Sequence, residues 1–136
     1  MTSEVIRVRD QIGAAMSMYF ETEDTDLWNP GNWTGRMFVS MAECISQSLQ
    51  TPTGLHVREL DPDTVDVDAA QFRAFTEALR NAYVTTGNST YRSLIDGVLA
   101  VAIVIADRAG VPVDIHPMEQ WGMDDRVEER ARSMNF

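Results

Sequence analysis

The residues best suited to chemistry in this chain are its carboxylates, and they are bunched. Glu21, Glu23, Asp24 and Asp26 form one group and Glu59, Asp61, Asp63, Asp66 and Asp68 another, so that nine of the 21 acids fall in two short stretches that contain no base. Closely spaced carboxylate oxygens are the ligands a hard cation such as calcium takes. The spacing does not fit the calcium loop, because Asp24 and Asp26 lead to Trp28, and Asp61 and Asp63 lead to Val65, where that loop needs a third Asp or Asn followed by Gly. The pattern therefore predicts a solvated acidic surface that steers a basic protein toward it, and no metal site. His56 and His116 are the only histidines, and neither has a ligand or nucleophile at a diagnostic spacing. Cys44 is the only cysteine, which excludes an internal disulfide, a cysteine-based zinc site and a redox pair. No catalytic residue and no cofactor follows from these residues.

The second feature is the segment LWNPGNWTG, residues 27–35, which carries two of the three tryptophans. Asn29 suits a helix N-cap and Pro30 the first helical position, which makes Trp28 and Trp33 the two halves of a hydrophobic staple. Met37, Met41, Ile45 and Leu49 follow Trp33 at intervals of four, with Phe38 and Cys44 widening the stripe into a core face. A staple does not require two indoles, and Trp, Met and Arg are favoured at protein interfaces. The expected partner-binding set is therefore Glu23, Asp24, Asp26, Trp28, Trp33, Arg36, Asp61 and Asp63.

The elements that must carry these residues read as mainly α. A second helix starts at Asp68, with Gln71 completing a capping box and Val67 and Phe72 a second staple. Its apolar face is Phe72, Phe75, Leu79, Ala82 and Tyr83, and Gly87 is placed to end it in a left-handed conformation. A third helix runs from about Ser89 to Ala109, closed by Gly110 and Pro112. It is apolar on most sides, with a solvent arc around Asp96, Ala100 and Asp107, so Leu94–Ala106 is the expected centre of the core. Val5, Val8, Ile12, Ala15 and Tyr19 form a helical seam at the amino end. Asp124 or Asp125 caps a last helix whose Val127, Ala131 and Met134 share a face and whose Glu128 and Arg132 pair at i,i+4. Short strands at Tyr19–Glu21 and Thr64–Val67 have the composition to pair. The expected architecture is a compact, single-domain helical bundle of three core helices with terminal helical segments and a short β-hairpin. It divides as an N-terminal helical extension (1–18), a core (19–113) and a C-terminal docking tail (114–136).

The chain has 136 residues, enough for one core without staples, and a net charge of -10. That charge argues against nucleic acid, which needs clustered bases. All 11 bases are arginine, a bias that points to a GC-rich coding sequence. Leu94–Ala106 is too short to cross a bilayer, and the amino end lacks the apolar centre of a secretory signal, so the expected location is the cytoplasm with no membrane contact.

Tyr19-Phe20, the acidic stretch after it, Leu27-Trp28-Asn29-Pro30, Asp68 before Phe72 and Phe75, and the Ser93–Gly110 helix ending Asp107-Arg108-Ala109-Gly110 resemble a family of small actinobacterial proteins of unknown function. The resemblance covers about Tyr19 to Val113 and treats both ends as additions. It implies the helical fold and carries no catalytic residue. The sequence leads to a non-enzymatic acidic protein that binds and inhibits a basic partner, as an immunity protein, antitoxin or inhibitor does. The alternatives are a self-assembling subunit and a small metal- or ligand-binding enzyme using loop carboxylates. Terminal faces too thin to persist alone predict a homodimer.

Overall fold

The computed structural model describes residues 17–136. The elements run β1 (Tyr19–Glu21), β2 (Asp26–Trp28), α1 (Asn32–Leu49), β3 (Leu55–Val57), β4 (Thr64–Val67), α2 (Ala69–Thr85), α3 (Ser89–Arg108), a 3-10 helix (His116–Trp121) and α4 (Met123–Ser133). The fold is mainly α, but the layer beside the helices is a four-stranded mixed sheet of order β2-β1-β4-β3. The expected strands Tyr19–Glu21 and Thr64–Val67 do pair, and they pair in parallel at the centre of the sheet, with an antiparallel hairpin on each side.

Alternation decides which face of the sheet is dry. Phe20, Val65 and Val67 point into the core. Glu21 and Asp66 are register partners on the outer face, where two like charges side by side would repel. Arg58 resolves this: its Nε and Nη2 donate to Asp66, and Nη2 also donates to Glu21 at 3.1 Å. The hydrogen bond from Arg58 holds the Asp66 carboxyl below the usual carboxylate range.

Helix starts follow the caps where side chains form them. The Asp68 carboxylate accepts from the Gln71 amide at 3.0 Å, and the Asn88 side chain accepts from the Tyr91 amide at 2.9 Å. Gly110 takes a φ of 80° just beyond α3, as a left-handed stop requires. Gly87 does not play that part for α2, which ends on Thr86 in an extended conformation.

The start of α1 also departs from expectation. Gly31 is the N-cap, without a side-chain hydrogen bond, so Asn29 and Pro30 precede the helix. The reason is that residue 30 is already in use: the Met18 amide donates to the Pro30 carbonyl at 2.9 Å, and Ser17 bridges Gly31. That pairing keeps residues 29–31 extended until the helix can turn.

Helix α3 supplies nine buried residues, from Ile95 and Val98 to Ala106, and forms the middle of the core. Its length and apolarity would suffice to cross a membrane, yet half of that stretch is buried inside this fold. Ala100, expected on the solvent arc, is buried, whereas Leu94, expected in the core, is exposed. The side of α3 that carries Asp96 is covered by the tail. Met118 and Met123 are fully buried there, and Arg108 donates to the carbonyls of Leu27, Ala131 and Met134. The tail helix starts on Gly122, with Asp124 and Asp125 in its first turn and not at the cap, and its Glu128–Arg132 pair forms at 3.0 Å. Val5, Val8, Ile12 and Ala15 lie outside the described residues, and Tyr19, the last member of that seam, is in β1.

Candidate interaction surface

A row of residues at intervals of four does not run straight along a helix. Each step of four turns it by about 40°. On α1 the row Trp33, Met37, Met41, Ile45, Leu49 starts toward solvent and ends against the core: exposure falls from 89% to 63% to 40%, and Ile45 and Leu49 are partly buried. The line that does face inward is Gly35, Phe38 and Ala42. Cys44 lies on the exposed side of the same helix, not in a core stripe. The expected Trp28–Trp33 staple therefore does not form. Trp28 is buried in an aromatic trio with Phe20 at 5.1 Å and Phe38 at 5.7 Å between ring centres, while Trp33 stands in water.

The exposed part of the row forms one wall of a groove. Met37, Phe38 and Met41 of α1 face Leu94, Gly97, Val98 and Val101 of α3, Trp28 lies at the base, and Arg130 and Met134 of the tail close one end around about 400 Å³. Leu94 is 69% exposed. Gly97 has nothing within 4 Å of where a Cβ would stand, so a visiting backbone can come close to α3 there. Reading Leu94–Ala106 as buried throughout hides this second wall. The signal for it is the small-residue row Ser93, Gly97, which breaks the apolar run on one side only.

The eight residues expected to meet a partner are split among three places. Glu23, Asp24 and Asp26 are exposed in and beside the β1–β2 turn. Asp61 and Asp63 are in the β3–β4 turn, and because β1 and β4 are parallel the two turns lie at opposite ends of the sheet. The second turn is spent on structure: the Thr64 hydroxyl donates to Asp61 at 2.6 Å, and Asp63 is buried with Arg36 at 3.6 Å. Beside the first turn, Asp26 and Trp28 of β2 line one small cleft with Phe136, and Trp28 also lines the groove. Asp26 and Trp28 thus come together, whereas Trp33 and Arg36 share the first turns of α1 and Arg36 reaches the second turn through Asp63.

The densest polar cluster is elsewhere. Arg126 donates from Nε and Nη2 to both oxygens of Asp96, at 2.7 and 2.6 Å, and the Tyr83 hydroxyl donates to Asp96 at 2.7 Å. Burial, followed by the hydrogen bond to Asp96, pushes the Tyr83 hydroxyl up to about 12. Tyr83 is then a neutral donor at any ordinary pH, and Asp96 accepts three hydrogen bonds. The cluster ties α2, α3 and the tail together. His56 and His116 are both exposed, the latter beside Glu119 at 3.2 Å. Among the described residues no three of His, Cys, Asp and Glu gather where they could hold a metal ion.

No curated protein and no solved structure matches this chain. One family pattern does match, over residues 16–136, and it takes in the tail after Asp114 that the resemblance had set outside. That span includes the sheet, the groove and the Tyr83–Asp96–Arg126 cluster, and through it the chain belongs to the family of unknown function DUF6086.

Proposed function

We propose that this protein is a non-enzymatic acidic interaction protein that captures a basic protein partner, in the manner of an immunity protein, antitoxin or inhibitor. The observation that carries the reading is the exposed face of Trp33, Met37 and Met41 beside Leu94, with a groove between two helices at its foot. Side chains of these types are concentrated at interfaces, and a contiguous apolar face on a monomer marks a contact site more often than chance exposure. Asp26 lines a small cleft with Trp28, which also lines the groove, and Glu23 and Asp24 are exposed in the turn before it, so the partner that fits has apolar anchors flanked by Arg or Lys. The charge of -10 speeds the encounter with such a partner and orients it.

The test is site-specific photocrosslinking in cells, with benzoylphenylalanine placed at Met37, at Leu94, or at the distant exposed His116. The expected result is one basic protein joined at positions 37 and 94 and not at 116, whose purified form associates more slowly as salt is added. Absence of an adduct at both groove positions, or the same adduct at all three, would overturn the reading.

A second reading, self-association, has one observation in its favour. Among the described residues the only ionisable one lining the groove is Arg130, so two copies of this acidic chain would repel each other least through that face, to which the tail contributes. Sedimentation of the wild type against Met37→Glu separates them: a dimer that the substitution dissociates favours self-assembly, and a monomer in both favours the basic partner.

A further inference from the structure

The Tyr83–Asp96–Arg126 cluster is one wall of an open cleft of about 480 Å³, lined also by Ser89, Arg92, Ser93 and Trp121. The cleft is short of acceptors. Asp96 is its only carboxylate among the described residues, and three donors already occupy it. Arg126 is neutralised by that pairing, but Arg92 is not: its Nε and Nη2 donate to the backbone carbonyls of Tyr83 and Thr86, and it makes no salt bridge among the described residues. Its guanidinium lies 4.2 Å from the centre of the Trp121 ring and 5.6 Å from that of Tyr83. Stacking and two carbonyl bonds fix the plane of the fork and leave Nη1 without an acceptor among the described residues. Ser89 and Ser93 line the cleft beside it. Ser89 and Thr90 open α3, where first-turn amides have no acceptor within their helix, and the Asn88 side chain takes the amide of Tyr91.

We propose that this cleft binds a small oxyanion, a carboxylate or phosphate group held by Arg92 Nη1, the hydroxyls of Ser89 and Ser93, and the first amides of α3. The ionised lining sums to a single positive charge in a chain of net charge -10, so the cleft is a local exception to the field around it. A rigid guanidinium fork, two hydroxyls and a helix start are donors of the kind that recognise such groups, and the volume suits a small molecule. The site is separate from the groove proposed for a protein partner, although Ser93 borders both. Because it joins the α2–α3 turn to the 3-10 helix, its occupant would also fasten the tail to the core.

Isothermal titration of the full chain with inorganic phosphate in one arm and citrate in another, at constant ionic strength set with sodium chloride, tests the proposal. Saturable binding of one or both is expected, and the arm that binds tells phosphate from carboxylate. Ser89→Asp places a negative charge in the cleft at a position where an acid suits the helix start, so it should keep the fold, measured by its melting temperature, while weakening binding by about tenfold or more. Arg92→Gln should do the same. No saturable heat from either anion, or binding unchanged in Ser89→Asp, would overturn it. Ser89 does not line the groove, so neither outcome bears on the protein-partner reading.

Discussion

Tyr83 and Asp96 show why single residues are hard to place from sequence. On a helical wheel Asp96 marks the wet side of α3, yet it faces Arg126, 30 residues later, which a wheel of one helix cannot register. Tyr83 was legible as a core residue, and its hydroxyl was not, because the need for a buried partner appears only when three elements meet. The raised value for Tyr83 has a direct consequence for stability. A group whose folded value lies above its unfolded value of about 10 contributes fully below pH 10 and loses that contribution as pH rises through about 12. Urea midpoints of the wild type should therefore fall between pH 10 and 12. Tyr83→Phe should cost about 1–3 kcal/mol at pH 8, where a hydrogen bond to a carboxylate is lost, and should fall less steeply above pH 10. Parallel curves for the two proteins would remove Tyr83 from the account.

At the scale of elements, the four α-helices among the described residues were legible in existence, because capping side chains and apolar spacing are local, whereas the 3-10 helix His116–Trp121 was not. The phase of α1 was not. Its five-residue row of Trp33 to Leu49 is apolar along its whole length, and only contact with the rest of the fold decides which part of it is dry. Part of that contact runs through Gly35, where a Cβ would stand 2.8 Å from Met18 Sδ. Alanine is the better helix former by about 1 kcal/mol, so α1 alone would be stabilised by Gly35→Ala, whereas the packed protein should be destabilised. Phe38→Ala, which empties the aromatic trio, should cost about 3–5 kcal/mol. Trp33→Ser should change stability by no more than about 0.5 kcal/mol, since it touches little, while reducing partner capture. Denaturant midpoints of the three variants check this order; equal losses at Trp33 and Phe38 would mean that the row is buried after all.

Over the whole molecule, the mainly α class and the central position of α3 could be read from composition and spacing, and the two short strands could be named. Their parallel pairing could not, since it joins Phe20 to Val65 across the whole of β2, α1 and β3. The parallel pairing also explains why the turn acids Glu23 and Asp24 lie at the opposite end of the sheet from Asp61 and Asp63, while Glu21 and Asp66 of the same two stretches meet side by side. It also sets an order of events. Helices α2 and α3 are joined by three residues, Thr86 to Asn88, and can meet with little loss of chain entropy, whereas closing the centre of the sheet demands a loop of some 40 residues before any ladder bond rewards it. The rate-limiting barrier should then be crossed with the α2–α3 pair largely assembled and the sheet still open. Leu99→Ala, costing about 2–5 kcal/mol, should act mainly by slowing refolding, and Val65→Ala mainly by hastening unfolding. Stopped-flow measurements in urea would show it, and a Val65 variant that refolds as slowly as the Leu99 variant would mean that β1 and β4 find each other first.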